Sequence, residues 1–386
     1  MKFFHTADWH LGKLVHGVYM TEDQEYVLNQ LIEAVDQERP DAVIIAGDVY
    51  DRAVPPTEAV QLLDEILRRI IIDLQTPVLV IAGNHDSPGR LHFASSVLKA
   101  AGLHIVGHLS EKVEPVIIRD DFGEVHFHLV PYAEPGVVKH LLKNEEIRSH
   151  DEAMEAIVTQ ITEQMDNTVR HVFIGHHFVT PKGEKEENTS DSERPLAIGG
   201  AEQVNASYFS HFHYSAFGHL HQAHKVGNDK IRYAGSPLKY SISEETHNKG
   251  FYIVEMDDVG NTSIEKRLFS PRRDMRTIEG YMKDIQLHDK NEDYVFVRLL
   301  DDHPVLFPME KIRAVYPNAM HIEQKQNIPN MPEGAQKKNN QRTQMDELSL
   351  FKAFYTDVKG TEVKQDTEDL FRDVLQQILR GEGERT

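Results

Sequence analysis

Apolar positions along the first two-thirds of the chain switch between two periods. Short runs at Ala42–Gly47 and Val78–Gly83, rich in Val and Ile and bounded by turn residues, predict buried strands. Between and after them the spacing is helical. Thr21 and Gln24 have the form of a capping box ahead of Val27, Leu28, Leu31, Ile32 and Val35. Pro55 and Pro56 open another helix, with Val60, Leu63, Ile66, Leu67 and Ile70 along one broad face. Residues 90–101 and 151–165 predict two more. From His171 strands dominate, at 171–178, 214–221, 231–234, 250–256 and 263–269. This order predicts an α/β (α+β) fold, with one mixed sheet or two stacked sheets flanked by helices, over residues 1–270.

A smaller unit follows at 271–323. Its pattern gives a strand at Tyr294–Leu300, a helix at Pro308–Val315 and a strand at Ala319–Glu323, hence a small α+β domain. Residues 324–344 hold only Ile328, Met331 and Ala335 as apolar residues apart from prolines, too few to offset the entropy of ordering, so a linker is expected. At 345–386 the pattern returns. Leu348, Phe351, Phe354 and Tyr355 share one helical face, and Leu370, Phe371, Val374, Leu375, Ile378 and Leu379 form an amphipathic stripe. Two short helices cannot hold a core alone. They either pack back on the body or dock a partner's helices.

Composition narrows the chemistry. The 386 residues contain no cysteine, which removes disulfides, thiolate zinc sites, iron–sulfur clusters and cysteine nucleophiles together. No apolar run approaches the ~20 residues of a membrane span, and Met1–His5 lacks the grammar of a signal peptide. A cytoplasmic protein is expected. The formal charge is −20 beside 23 histidines. The charge argues against free binding to nucleic acid or anionic membrane; the histidines argue for metal.

One grammar recurs: an apolar strand, a glycine, then a residue able to ligate a metal. Ile44–Gly47 precedes Asp48, Val80–Gly83 precedes Asn84, His85 and Asp86, Val172–Gly175 precedes His176, and Ala216–Gly218 precedes His219 and His221. Phe3–Ala7 leads to Asp8 and His10 without the glycine. Residues two apart on a strand point the same way, so Asp8 and His10 pair, as do His219 and His221. Ligands leaving the ends of neighbouring strands converge in one crevice. The candidate ligands are therefore Asp8, His10, Asp48, Asn84, His176, His219 and His221. Oxygen and imidazole donors suit Mn²⁺, Fe²⁺ or Zn²⁺ rather than Ca²⁺. Seven are too many for one such ion and suit two ions sharing a carboxylate. Two aspartates against two divalent cations leave the site net positive, which suits a phosphate.

These motifs resemble the calcineurin-like metallophosphoesterases over roughly residues 1–270. More narrowly, His5–Gly12, the stretch Tyr233–Ser241 with Gly235, Ser236 and Pro237, and the C-terminal arrangement are similar to the nuclease subunits of bacterial nuclease–ATPase complexes. The resemblance implies a β-sandwich flanked by helices, a DNA-capping domain at 271–323, and a helical module at 345–386 that docks a large coiled-coil ATPase. It implies Asp8, His10, Asp48 and His221 around one metal and Asp48, Asn84, His176 and His219 around the other, with Mn²⁺ as the expected pair. His85 would assist the leaving oxygen, and Asp51 would orient that histidine, a position where related nucleases commonly carry histidine. His176 is preferred over the adjacent His177 because it directly follows the glycine. Arg52 is either a phosphate contact or a structural ion pair, and Asp86 holds its loop. His126 and His128 alternate on a strand whose half-exposed face would explain them. The implied activity is a DNA nuclease, exonuclease on double strands and endonuclease on single strands and hairpins, in repair, recombination and replication. A homodimer through helices such as 56–72 is also implied.

Two rivals remain. A relative acting on a small phosphomonoester or cyclic nucleotide would share fold and metals, but would need neither residues 271–323 nor the tail. A non-catalytic scaffold would not need the ligand set.

Overall fold

Strands that are apolar on both faces must be covered on both. In the computed structural model, which describes residues 1–183, 203–324 and the positions 348, 351, 352, 354–356, 363, 365 and 367–372, this demand is met by two stacked sheets with helices outside each. The first sheet runs in the order Thr262–Leu268, Gly250–Met256, Lys2–Thr6, Ala42–Ala46, Val78–Ile81, Leu103–Val106. Its last four strands are parallel. The second runs His224–Lys225, Ile231–Tyr233, Tyr214–Gly218, Arg170–His176, Gly123–Leu129, Val116–Asp120, with the middle four parallel.

Side-chain alternation assigns the layers. Phe3, Ile44 and Leu79 meet Phe127, Val172 and Tyr214 between the sheets. Phe4, Val43, Ile45 and Val80 face outward under the helices Thr21–Glu38 and Thr57–Arg68. Phe173 and Phe217 face the other way, under Pro135–Leu142 and His150–Thr162.

Several local expectations change. The capping box at Thr21 does not form: the helix begins after Met20 with no side-chain cap. Gln24 is buried and turns inward instead. Its side chain takes the Gly12 N–H and reaches the Trp9 and His10 carbonyls and the Tyr240 hydroxyl, tying the turn after the first strand to the helix. A true capping box, Ser149 with Glu152, starts the helix His150–Thr162. The helix expected at 90–101 is three short turns, Pro88–Leu91, Ser95–Leu98 and Lys99–Ala101, interrupted at Ala94 with φ 58°. His128 is not half-exposed but buried, its Nε2 3.0 Å from His171 Nδ1. Strands at Leu103–Val106, Val116–Asp120 and Met275–Gly280 escaped the sequence pattern.

Beyond residue 270, three parallel strands, Met275–Gly280, Tyr294–Leu299 and Ala319–Gln324, are crossed by the helices Met282–Ile285 and Pro308–Arg313 around a core of their own. Met275, Tyr294 and Met320 join the core of the first sheet. Buried Asp23 accepts hydrogen bonds from Arg273 and from the Tyr294 hydroxyl. Met1–Gln324 form one compact unit and Lys325–Thr386 another. Within the second, the Phe351 and Phe371 rings stack at 4.1 Å and Lys352 pairs with Glu368 at 2.7 Å. Phe354 and Leu370 are exposed there. Residues 325–344 of the expected linker, and Val374, Leu375, Ile378 and Leu379, lie outside the described residues. No described helix is long and apolar enough to cross a membrane.

Candidate metal centre

The parallel strands of both sheets end at one edge, and the chain leaves each of them through a sharp turn. Asp8 and His10 follow Lys2–Thr6, Asp48 follows Ala42–Ala46, and Asn84 follows Val78–Ile81. From the other sheet, His176 ends Arg170–His176, and His219 and His221 follow Tyr214–Gly218. Four of these seven residues, Asp8, His10, Asp48 and His219, have positive φ, a region that L-residues seldom occupy.

The glycines are explained by crowding. Gly47 has φ +88°, and a Cβ on it would land on the His176 ring. A Cβ on Gly83 would strike the Asp48 carboxylate. No larger residue fits where two ligand-bearing turns cross.

Six of the seven candidate ligands are buried, Asn84 only partly. Asp48 lies between the two halves, one oxygen 3.2 Å from His176 Nε2 and 3.6 Å from His10 Nε2, the other accepting the His85 N–H at 2.9 Å. Asp8 Oδ1 accepts the His219 N–H at 2.8 Å and lies 3.9 Å from His176 Nδ1. Asn84 Oδ1 is 3.0 Å from His176 Nε2 and 3.3 Å from His219 Nδ1. His10 Nε2 and His221 Nε2 face each other at 3.0 Å. His176 is thus in the cluster, its Nδ1 2.8 Å from the Ala46 carbonyl. His177 is buried away from it, beside Tyr132 and His150.

The donor set fits cations. Asp8 Oδ2 and His10 Nδ1 are buried without a hydrogen-bond partner, and each such orphan costs about 1–3 kcal/mol. Burial pushes the Asp8 carboxyl up to about 7, a penalty that a nearby cation would reverse. Burial also holds His10 and His219 well below the usual histidine range, and therefore neutral, which is the ligating form. Burial would raise Asp48 too, but the His176 ring outweighs it and keeps the carboxylate ionised. Asp8, Asp48 and His176 bring one ligand atom each within 4.8 Å of one another, as do His10, Asp51 and His85.

Asp51 meets His85 through its backbone. His85 Nδ1 is 2.8 Å from the backbone carbonyl of Asp51, not from its carboxylate. The carboxylate is held by Lys13 at 2.8 Å and lies 3.7 Å from His10 Nδ1. Arg52 is half-exposed and 4.0 Å from Asp51 Oδ2. Asp86 accepts the N–H groups of Val49, Tyr50 and Gly83 at 2.9–3.1 Å and closes the loop over Asp48.

Two supporting residues escaped sequence reasoning. Glu244, fully buried, accepts from His221 Nδ1 at 3.1 Å and pairs with Lys249. Burial alone would raise its carboxyl; Lys249 and His221 outweigh that and hold it well below the usual range. Tyr233 anchors the turn after His176, its hydroxyl donating to the His177 carbonyl and accepting the Val179 N–H. Tyr233 opens the glycine–serine–proline stretch, which was a signal; Glu244 had none.

The family model described as calcineurin-like phosphoesterase matches residues 1–223. One described as the type 5 capsule protein repressor C-terminal domain matches residues 271–359. The chain is 33% identical over 395 residues to SbcD, the nuclease subunit of SbcCD, from Staphylococcus epidermidis, covering 99% of this chain and 100% of that one. Among solved structures, GAP50, the anchor in the inner membrane complex of Plasmodium, is 10% identical with a TM-score of 0.38, over 86% of this chain and 99% of that one. A dimetal phosphatase from Danio rerio is 11% identical at 0.37, over 69% and 96%. Superpositions this loose add nothing to the site. Family model and full-length relative agree with the ligand grammar: the chain belongs to the calcineurin-like phosphoesterases and, among them, to the family of the SbcD nuclease subunits.

Proposed function

We propose that this chain is a DNA nuclease that hydrolyses phosphodiesters with two divalent metal ions and acts with an SbcC-type coiled-coil ATPase. The observation that carries the reading is the convergence of seven oxygen and imidazole donors from two sheets on one edge, around Asp48. Asp8, His10, Asp48 and His221 would hold one ion; Asp48, Asn84, His176 and His219 would hold the other. Their chemistry suits Mn²⁺. When bound, the ions would activate water and neutralise charge on the phosphate.

The protein's own groups do the rest. A carbonyl only accepts, so the Asp51 carbonyl fixes the proton of His85 on Nδ1 and makes Nε2 the atom that exchanges a proton. His85 is half-buried at the mouth of the site, where it can protonate the leaving oxygen. Asp51 acts through its backbone, and its carboxylate neutralises Lys13. Arg52, exposed beside Asp51, would be a contact for the substrate phosphate.

Two surfaces support the remaining partners. The helix Thr57–Arg68 and the turns at 88–101 border an apolar groove lined by Val60, Leu63, Leu67, Ile72, Phe93 and Leu98. Phe93 is 80% exposed and Ile72 59%, which suits a homodimer through this face. In the tail, exposed Phe354 and Leu370 suit an ATPase docking module.

The test compares linear duplex, single strands, hairpins and a chromogenic phosphate diester with Mn²⁺, for the chain alone and with its ATPase. Metal-dependent cleavage of DNA is expected. Intact DNA under every condition, with rapid turnover of a phosphomonoester, would replace this reading by a small-substrate phosphatase.

A further inference from the structure

The two halves of the metal centre are supported differently. In one half the His176 ring is backed by a neutral peptide carbonyl, that of Ala46. In the other, His221 is backed by the fully buried carboxylate of Glu244, 3.1 Å from its Nδ1. That carboxylate can only accept, so Nδ1 carries the proton and Nε2 turns its lone pair toward His10 Nε2, 3.0 Å away. Lys249 completes the support. Its Nζ donates to Glu244, to Ser236 Oγ at 2.8 Å and to the His221 carbonyl at 2.9 Å, so backbone and ring of one residue are gripped by a single buried ion pair. Ser236 N–H bonds the same carbonyl at 3.3 Å. A carboxylate behind an imidazole raises its basicity and fixes its direction, whereas a carbonyl fixes direction with less gain in basicity.

We propose that Glu244 is a positioning residue that makes the Asp8–His10–Asp48–His221 half the tighter of the two metal sites and the first to fill. The inference rests on the two-metal reading. It adds a buried carboxylate behind His221 to the half that already holds two aspartates against one aspartate and an amide in the other, and it gives the segment 236–249 a task in metal binding.

The test is a Mn²⁺ titration of the full chain followed by electron paramagnetic resonance and calorimetry. The wild type should bind one ion tightly, with an uncoupled six-line spectrum at one equivalent, and a second more weakly with a spin-coupled spectrum. Glu244→Gln should weaken the first ion by about 10–100-fold and change the second little, so that coupled signal emerges from the first additions. Because that variant removes the carboxylate that faces the Lys249 ammonium, the double variant Glu244→Gln/Lys249→Met serves as the charge-balanced form, and it should lose first-ion affinity to the same extent. First-ion affinity unchanged in the folded variants would overturn the proposal. So would an equal loss at both sites, which marks a merely structural role. A wild type that binds two ions with no tighter first site would overturn the ordering alone. A wild type that binds fewer than two would overturn the two-metal reading beneath it.

Discussion

Asp51 and His85 show how a contact's atom decides its meaning. Because the Asp51 carbonyl, not its carboxylate, holds His85, Asp51→Asn should leave kcat at saturating Mn²⁺ nearly unchanged. It should raise the Mn²⁺ requirement by up to about 10-fold through His10, the scale of outer-shell changes at metal sites. His85→Gln should lower kcat by about 10²–10⁴-fold with metal content intact. A chromogenic diester assay with metal analysis separates the two, and a kcat loss in Asp51→Asn matching His85→Gln would defeat the backbone assignment. At this scale the convergence of the candidate ligands was legible, since each leaves a strand end beside a recognisable neighbour. Backbone contacts were not, because a carbonyl has no letter in the sequence. Nor was Glu244, which ends a short turn 23 residues from His221 and looks like any other acid between Ser243 and Glu245.

Elements were read well where their period was strong and misread where one residue serves two masters. The spacing of Thr21 and Gln24 is that of a cap, yet Gln24 props the turn carrying His10. Gln24→Leu should therefore destabilise by about 1–3 kcal/mol for the Gly12 N–H it strands, and urea unfolding would measure it; a neutral outcome would restore the cap. The strand at Met275–Gly280 was missed because its apolar pattern is interrupted by Arg276 and Glu279. Two central strands also bury histidines. Burial lowers His5 to about 3, where it bonds the Tyr214 hydroxyl and the Phe217 carbonyl, and lowers His128 to about 3. Their unfolded value is 6.5. Below pH 6.5 the unfolded chain binds protons that the fold refuses, so stability is full above that pH and falls as pH drops from 6.5 toward 3. At pH 5 each histidine accounts for a loss of about 2 kcal/mol. Denaturation at pH 7 and pH 5 should show this, with a flatter dependence in His5→Gln; an unchanged slope would reject the assignment for His5.

For the whole molecule, the charge of −20 acquires a use. Duplex repels an acidic chain, so weak retention of DNA by the isolated protein at physiological salt is expected, rising sharply with the ATPase. Tight metal-free retention by the chain alone would contradict this. Deleting 345–386 should abolish that rise, together with copurification of the ATPase, while diesterase activity persists.

The metal-facing turns come from two separate sheets, and an apolar layer that includes Phe3, Ile44, Leu79, Phe127, Val172 and Tyr214 keeps those sheets in step, together with cross-sheet bonds such as those of His5 to Tyr214 and Phe217. The centre is therefore a vernier for their alignment. A slip of a fraction of an ångström, too small to expose surface or move a melting curve much, would misalign ligands contributed from opposite sides. Trimming this layer well away from the ligands, as in Leu79→Val, should raise the Mn²⁺ concentration needed for half-saturation before it visibly loosens the fold. Metal affinity, rather than thermal stability, is then the sensitive gauge of how well the two halves of this protein are seated on one another.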